Sequence, residues 1–330
     1  MRFDFTEDQH EIKRTAKDLL GSRSTLEKVR EAAEAAEYDA ALWDELAELG
    51  WPGVAVAEGF GGGGLGYVEL AGLLEESGYA LLNGPLLGSS ICAAAISESG
   101  SDSQKEEWLG RLASGEATGA FGLVGEIVPE GATADVVVLA DREDGTAQLV
   151  TGPDALPTVS TIDPTRRYGR AEAGSSAGEP MPGDVDRAID LGAVLVSAEL
   201  VGVSARALEM TVEYVKDRKQ FGRPVGSFQA VQHRCAQMLL STEAARAATY
   251  FAAWAADSDP DRLPEAASLA KSAASKAGVE VTASAIQAHG GIGFTWEADV
   301  HWFYKRAQLN AAFLGSSGEH DRRLTALIAG

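Results

Sequence analysis

Cysteine is scarce: 330 residues hold only Cys92 and Cys235, too few for a disulfide framework and at no metal-ligating spacing. Both fall in apolar helical patterns, where a buried thiol is the expected state. Histidine is equally thin, with five in the chain. His289, His301 and His320 have no serine or cysteine in a nucleophile context and no zinc-like separation, so no metal site is expected. His289 is expected to belong to a glycine turn, and the other two to make polar contacts. No run of eighteen apolar residues is present, so a membrane span is not expected, and the opening Met1-Arg-Phe-Asp-Phe lacks the apolar core of a signal peptide. Cytoplasm is the expected location. Positive charge is also short, with 28 Lys and Arg against 49 Asp and Glu, a formal net charge of -21. That balance disfavours nucleic acid and anionic membrane unless a local basic patch overrides it. Lys216, Arg218, Lys219 and Arg223 form such a patch, sized for a diphosphate rather than a duplex.

What is present is mostly helix, in a chain with the hydrophobic content (45%) of a soluble globular protein. From Thr6 to about Ser97 apolar residues recur at helical spacing, as in Leu42, Leu46 and Leu49, with Trp43 and Trp51 as anchors. The pattern changes near Ala120. Residues 134–140, 147–151 and 157–161 are short, β-branched and bounded by Gly, Asp and Pro, which predicts strands, and Gly174 to Gly183 reads as a loop. Residues 185–216, 228–256 and 265–289 then predict three long helices, with Pro264 suited to the first turn of the third. Ser316-Ser-Gly-Glu319 has the spacing of a capping box that opens a last helix. The expected fold class is mostly α: an N-terminal helical domain (1–119), a small truncated β domain (120–183) and a C-terminal four-helix-bundle-like domain (184–330).

Gly59-Phe-Gly-Gly-Gly-Gly64 satisfies G-x-G-x-x-G and a helical pattern follows it. A dinucleotide site would also need a preceding strand and a second strand ending in an acid. Only Val54 to Ala57 could serve as the first, a helix precedes it, and the second is missing. A flexible loop is the better reading.

Two segments carry specific chemistry in combination: Arg218-Lys-Gln-Phe-Gly222 through Phe228-Gln229, and Gln287-Ala-His-Gly-Gly-Ile-Gly293. Arg218 is a planar fork suited to a diphosphate. Gly290 and Gly291 remove side chains where a backbone would approach a nucleotide. Phe228 offers an apolar surface, while Gln220, Gln229 and Gln287 bring donors and acceptors. With Phe5-Thr-Glu-Asp-Gln9 and Leu42-Trp-Asp-Glu-Leu-Ala-Glu-Leu-Gly-Trp51, the chain resembles the acyl-CoA dehydrogenase family over nearly its whole length. The resemblance implies an α domain, a small β domain and a second α domain at a tetramer core. It also implies that Arg218, Gln220, Phe228, Gln229, Gln287, Gly290 and Gly291 reach the ADP half of an FAD seated mainly in a neighbouring subunit.

The rest of the family pattern is missing. Where the family places a Thr-Glu-Pro…Gly-Ser-Asp segment against the flavin ring, this chain reads Ala120-Phe-Gly-Leu-Val-Gly-Glu-Ile-Val-Pro129. The family's α-proton base is a glutamate in a Tyr-Glu-Gly-Thr turn, or one eleven residues before the glutamine of the glycine motif. The matching positions hold Gly315 and Lys276, so no catalytic residue is assigned. Glu280, one turn beyond Lys276, is a candidate relocated base or its i,i+4 ion partner. The resemblance therefore implies a shorter, non-catalytic subunit, like that of actinobacterial α2β2 enzymes acting on steroid side-chain CoA thioesters. FAD would be shared with a larger subunit, which holds the acyl-CoA, and electrons would pass to a separate acceptor. The rivals are a self-sufficient homotetramer using Glu280 and a flavin-free interaction protein on the same scaffold.

Overall fold

The computed structural model describes residues 4–35, 37–152, 155–172 and 178–329. The first helices are α1 (Glu7–Arg23), α2 (Leu26–Ala35), α3 (Ala40–Glu48), α4 (Tyr67–Tyr79), α5 (Leu86–Ser99) and α6 (Asp102–Ala113). Their starts follow local chemistry: Thr6 with Gln9 and Ser101 with Gln104 close capping boxes, and the Asp39 carboxylate accepts from the Leu42 amide. Trp43 and Trp51 are buried, as the spacing predicts.

The middle segment builds two small sheets. Strands β1 (Gly119–Leu123), β3 (Val136–Asp141), β4 (Thr146–Thr151) and β7 (Glu179–Met181) form one in the order β1-β3-β4-β7, with β1 parallel to β3. Strands β2 (Ile127–Pro129), β6 (Tyr168–Arg170) and β5 (Thr158–Val159) form the other, in the order β2-β6-β5. The segment read as a loop over Gly174–Gly183 needs correction: residues 179–181 pair antiparallel with β4, while residues 174–177 lie outside the described residues. Pro180 is tolerated because β7 is an edge strand.

The C-terminal helices are α7 (Val185–Asp217), α8 (Gln229–Ser258), α9 (Leu263–His289), α10 (Val300–Ala312) and α11 (Ser317–Ala329), with the hairpin β8 (Lys219–Gln220) and β9 (Arg223–Pro224) between α7 and α8. Pro264 sits in the first turn of α9, and Ser316 and Glu319 exchange backbone-to-side-chain bonds of 2.7 and 3.4 Å. Helix α7 is long and apolar enough to cross a membrane, although its apolar residues are interrupted. It is instead the core helix: 94% of its apolar window is buried against α4, α5, α8, α9 and α10.

Between the middle segment and the bundle lies a buried charge network. Arg306 of α10 donates to Asp163 (2.7 Å) and to Thr165 Oγ1 (2.5 Å), and its guanidinium lies 3.3 Å from Glu199 of α7. Arg166 binds Glu199 and lies 3.2 Å from Glu130, while Asn310 donates to Glu199. Burial alone would raise the carboxyls of Asp163 and Glu199, yet the two arginines hold both below the usual range. Glu130 goes the other way: burial pushes it up to about 7 against the pull of Arg166 and Arg306.

Candidate functional site: an exposed nucleotide half-site

Helix α7 ends at Asp217 and the chain turns at once into the β8–β9 hairpin. Its turn residues, Phe221 and Gly222, have φ of 54° and 79°, the left-handed pair that a two-residue hairpin loop requires. The Phe221 ring is 92% exposed and stands edge-on to Phe228 at 6.2 Å. The Arg223 guanidinium lies over Phe228 at 4.0 Å, so part of the apolar surface expected of that ring is already covered.

Helix α9 ends at His289 and is capped by Gly290, whose φ of +68° favours glycine. Among the described residues a Cβ added at Gly290 or Gly291 would meet nothing within 4 Å, so the turn's backbone is open to a ligand. The Tyr214 ring of α7 stacks on His289 at 4.3 Å, and its hydroxyl donates to the His289 carbonyl over 3.2 Å. Tyr214, Arg218, Lys219 and His289 thereby line one open cleft of about 710 Å³. Glu213 and Asp217 also line it, while Arg218 and Lys219 make no ion pair among the described residues.

The structure thus brings Arg218 to the end of α9, as the sequence implies. Gln220, Gln229 and Gln287 are exposed, Phe228 is half-buried, and Gly290 and Gly291 are exposed, all on elements flanking the cleft rather than in its lining. These groups fit the diphosphate-bearing half of a nucleotide cofactor: an unpaired guanidinium, an unobstructed glycine backbone and exposed amides. Tyr214 was not legible as part of the site, because a tyrosine in an amphipathic helix reads as packing.

At the position of the family's glutamate the chain is closed. Gly315 is buried with φ +102°. Lys271 from α9 donates to its carbonyl (3.0 Å), to Ala311 O (3.1 Å) and to Ser275 Oγ (3.0 Å). Glu126, in the turn before β2, accepts from the Leu314 amide at 3.3 Å, and His320 Nε2 lies 2.9 Å from the Leu314 carbonyl. Glu126 is a buried-side carboxylate that sequence reasoning missed, since a lone turn glutamate carries no motif. Burial raises its carboxyl.

Burial pushes the Lys271 ammonium down to about 7, against the pull of Glu126 and Glu319. Between that value and the 10.5 of the free side chain, the unfolded chain binds the extra proton, so stability rises with pH across this window. Relative to Lys271→Gln, the native protein should gain up to about 3 kcal/mol between pH 7 and 9.5 in urea melts. A parallel pH dependence in the two proteins would show that Lys271 titrates normally.

Several expectations are corrected. Lys276 pairs with Asp321 of α11 at 2.7 Å, not with Glu280, and Glu280 stands exposed on the face of α9. The glycine run, by contrast, is the loop the sequence favours and no phosphate cradle. Residues 54–57 form no strand, and the amides of Gly63, Gly64 and Leu65 are taken by the carbonyls of Gly53, Val56 and Val54. The N-terminus of α4, where a pyrophosphate would sit, is occupied by the Asp257 carboxylate, which accepts from Tyr67 and Val68. Cys92 is buried, but Cys235 is only half-buried. His320 makes its polar contact; both ring nitrogens of His301 lack a hydrogen-bond partner among the described residues, and the ring packs instead on Trp296 and Trp302.

This architecture is that of an acyl-CoA dehydrogenase, and the chain belongs to that family. Residues 6–116 match the family description "Acyl-CoA dehydrogenase, N-terminal domain" and residues 184–326 match "Acyl-CoA dehydrogenase, C-terminal domain". The chain is 38% identical to acyl-CoA dehydrogenase IpdE2 of Mycobacterium tuberculosis over 96% of each sequence. It is 36% identical to IpdE2 of Mycolicibacterium smegmatis over 98% of this chain and 99% of that one. Among solved structures it is similar to the ChsE4-ChsE5 complex from Mycobacterium tuberculosis, with a TM-score of 0.87, 25% identity and coverage of 100% and 99% of the two chains. Members of the family are FAD-binding oxidoreductases that act on acyl-CoA.

Proposed function

We propose that this chain is the non-catalytic subunit of a heteromeric acyl-CoA dehydrogenase and completes an FAD site seated on a larger partner. Arg218, Gln220, Phe228, Gln229, Gln287, Gly290 and Gly291 hold the ADP half. The partner supplies the ring pocket, the acyl-CoA site and the glutamate, and electrons leave to a separate acceptor. FAD held there would supply the hydride acceptor for the β hydrogen of the acyl group.

One contrast carries this reading. The nucleotide groups are open to solvent, whereas this chain's own reaction centre is shut. Strand β1, where the family holds the ring, is buried at every residue, and the turn at Gly315 is tied by Lys271, Glu126 and His320. A shortened middle β domain over 120–183 is the deletion this implies. The similar structures include two paired or steroid enzymes: the ChsE4-ChsE5 complex and "Tcur3481-Tcur3483 steroid ACAD G363A variant" (TM-score 0.86, 26% identity, 98% of each chain). They support pairing with a second acyl-CoA dehydrogenase subunit and a steroid-derived substrate; an α2β2 assembly on a side-chain CoA thioester is the form proposed.

Co-expression with candidate larger subunits, followed by the absorption spectrum and mass of the complex, tests the assembly. Arg218→Ala should lower FAD affinity roughly ten- to a hundredfold, the worth of one charge-assisted hydrogen bond. Stoichiometric FAD and turnover in the chain purified alone would refute the heteromer, and unchanged affinity in Arg218→Ala would refute the site.

A further inference from the structure

Tyr214 lies one turn before Arg218 on α7 and grips the last residue of α9. Its ring stacks on His289 at 4.3 Å with the planes 20° apart, and its hydroxyl donates to the His289 carbonyl at 3.2 Å. His289 is tied back to its own helix by Nδ1, 2.8 Å from Ala285 O. A carbonyl can only accept, so Nδ1 carries the proton there. The ring is thus fixed from two sides, by its own helix and by Tyr214.

The residue Tyr214 holds is the one directly before Gly290. Gly290 and Gly291 have no side chains, and the space beside them is open, so the turn takes its placement across to α7 from His289. The same tyrosine stands four residues from Arg218, on the last turn of α7. A ligand spanning the guanidinium and the glycine backbone needs the two at one fixed separation. If the helix ends were free to splay, the ligand would have to order them on binding and would bind more weakly.

The geometry points to Tyr214 as a positioning residue that sets the Gly290–Gly291 backbone against Arg218 for a diphosphate-bearing cofactor. This role rests on the functional reading above, and touches no reacting atom.

The test uses whichever flavin-bearing assembly the chain forms, alone or with its partner, and FAD as the probe. Tyr214→Phe keeps the stack and loses the donated bond; Tyr214→Leu removes both; Arg218→Ala is the reference. FAD dissociation constants, melting temperatures and turnover at limiting and saturating FAD are measured for each. Tyr214→Leu should weaken FAD roughly tenfold and Tyr214→Phe by a smaller factor, with kcat restored at saturating FAD. A lowered melting temperature with unchanged FAD affinity in the folded protein would reduce Tyr214 to a packing residue and overturn the role. Unchanged affinity in both Tyr214 variants alongside loss in Arg218→Ala would overturn it while leaving the shared site standing. No loss in Arg218→Ala would overturn both. If Tyr214→Leu fails to fold, the near-isosteric Tyr214→Phe decides.

Discussion

Arg306→Met is expected to cost the chain about 3–5 kcal/mol of stability, the penalty for removing one member of a buried ion network. The arginine is fully buried and contacts Asp163, Thr165, Glu199 and the Leu82 carbonyl. Met fills much of the same volume, so lost packing is the smaller term. The larger one is electrostatic: Asp163 and Glu199 would stay buried with a main counter-charge gone. Arg166 still holds Glu199, and Thr165 and Tyr168 still bond Asp163, which keeps the cost from rising further. Replacing the whole network by apolar side chains would be far milder than breaking it once, because the intact pairs barely repay their own desolvation.

The same variant carries a pH signature. In the native chain Asp163 and Glu199 have lowered carboxyls, so each contributes stability above its unfolded value and loses it as pH falls through the folded one. Removing Arg306 weakens that contribution. The deficit of Arg306→Met should therefore be largest near neutral pH and shrink in acid, as urea melts at pH 7 and pH 4 would show. A loss below about 1 kcal/mol at neutral pH would mean that water or a shifted side chain replaces the guanidinium.

The long helices were legible because their apolar spacing, Pro264 and the Ser316–Glu319 box are local signals. The hairpin after Arg218 was legible only as the gap between the helices predicted over 185–216 and 228–256, not as paired strands. The buried network was not legible. Asp163, Thr165 and Arg166 sit in a polar stretch that reads as a solvated loop; Arg306, which binds the first two, arrives from a helix 143 residues beyond Asp163, and Arg166 meets Glu199 of α7. Pro180 hid β7, since a proline argues against a strand until its edge position is known. His301 looked like a polar contact because sequence cannot show that it packs between tryptophans. The proposed site residues were legible only as a combination: Arg218, Phe228 or Gly290 alone would pass for a surface charge, a core ring and a helix end. Tyr214 and Glu126 show the limit, as each acts through a tertiary contact that no spacing encodes.

Gly202→Ala should destabilise the chain by about 1–3 kcal/mol although alanine is the better helix former. Gly202 of α7 faces the backbone of α4, and an added Cβ would lie 2.6 Å from the Tyr79 nitrogen and 2.8 Å from the Glu75 carbonyl carbon. Gly78 of α4 meets α7 in the same way, 2.9 Å from the Glu199 carbonyl carbon. The obstacles are backbone atoms, so no rotamer change relieves them; the two helices must part, opening the core around Leu70, Leu74, Leu200 and Val203. Helix propensity returns only about 1 kcal/mol. Gly72→Ala, on the same α4, is the control. Its Cβ would come 3.1 Å from the Lys13 side chain and 3.9 Å from the Tyr250 hydroxyl, side-chain atoms rather than backbone, so propensity should win and the variant should be neutral to slightly stabilised. Arg218 lies sixteen residues along α7 from Gly202, about 24 Å, so the folded fraction of Gly202→Ala should retain its FAD affinity. Denaturant midpoints of the two alanine variants decide the point: equal stabilities would show that α4 and α7 are not held at glycine distance, and that the crossing is loose enough to admit a methyl group.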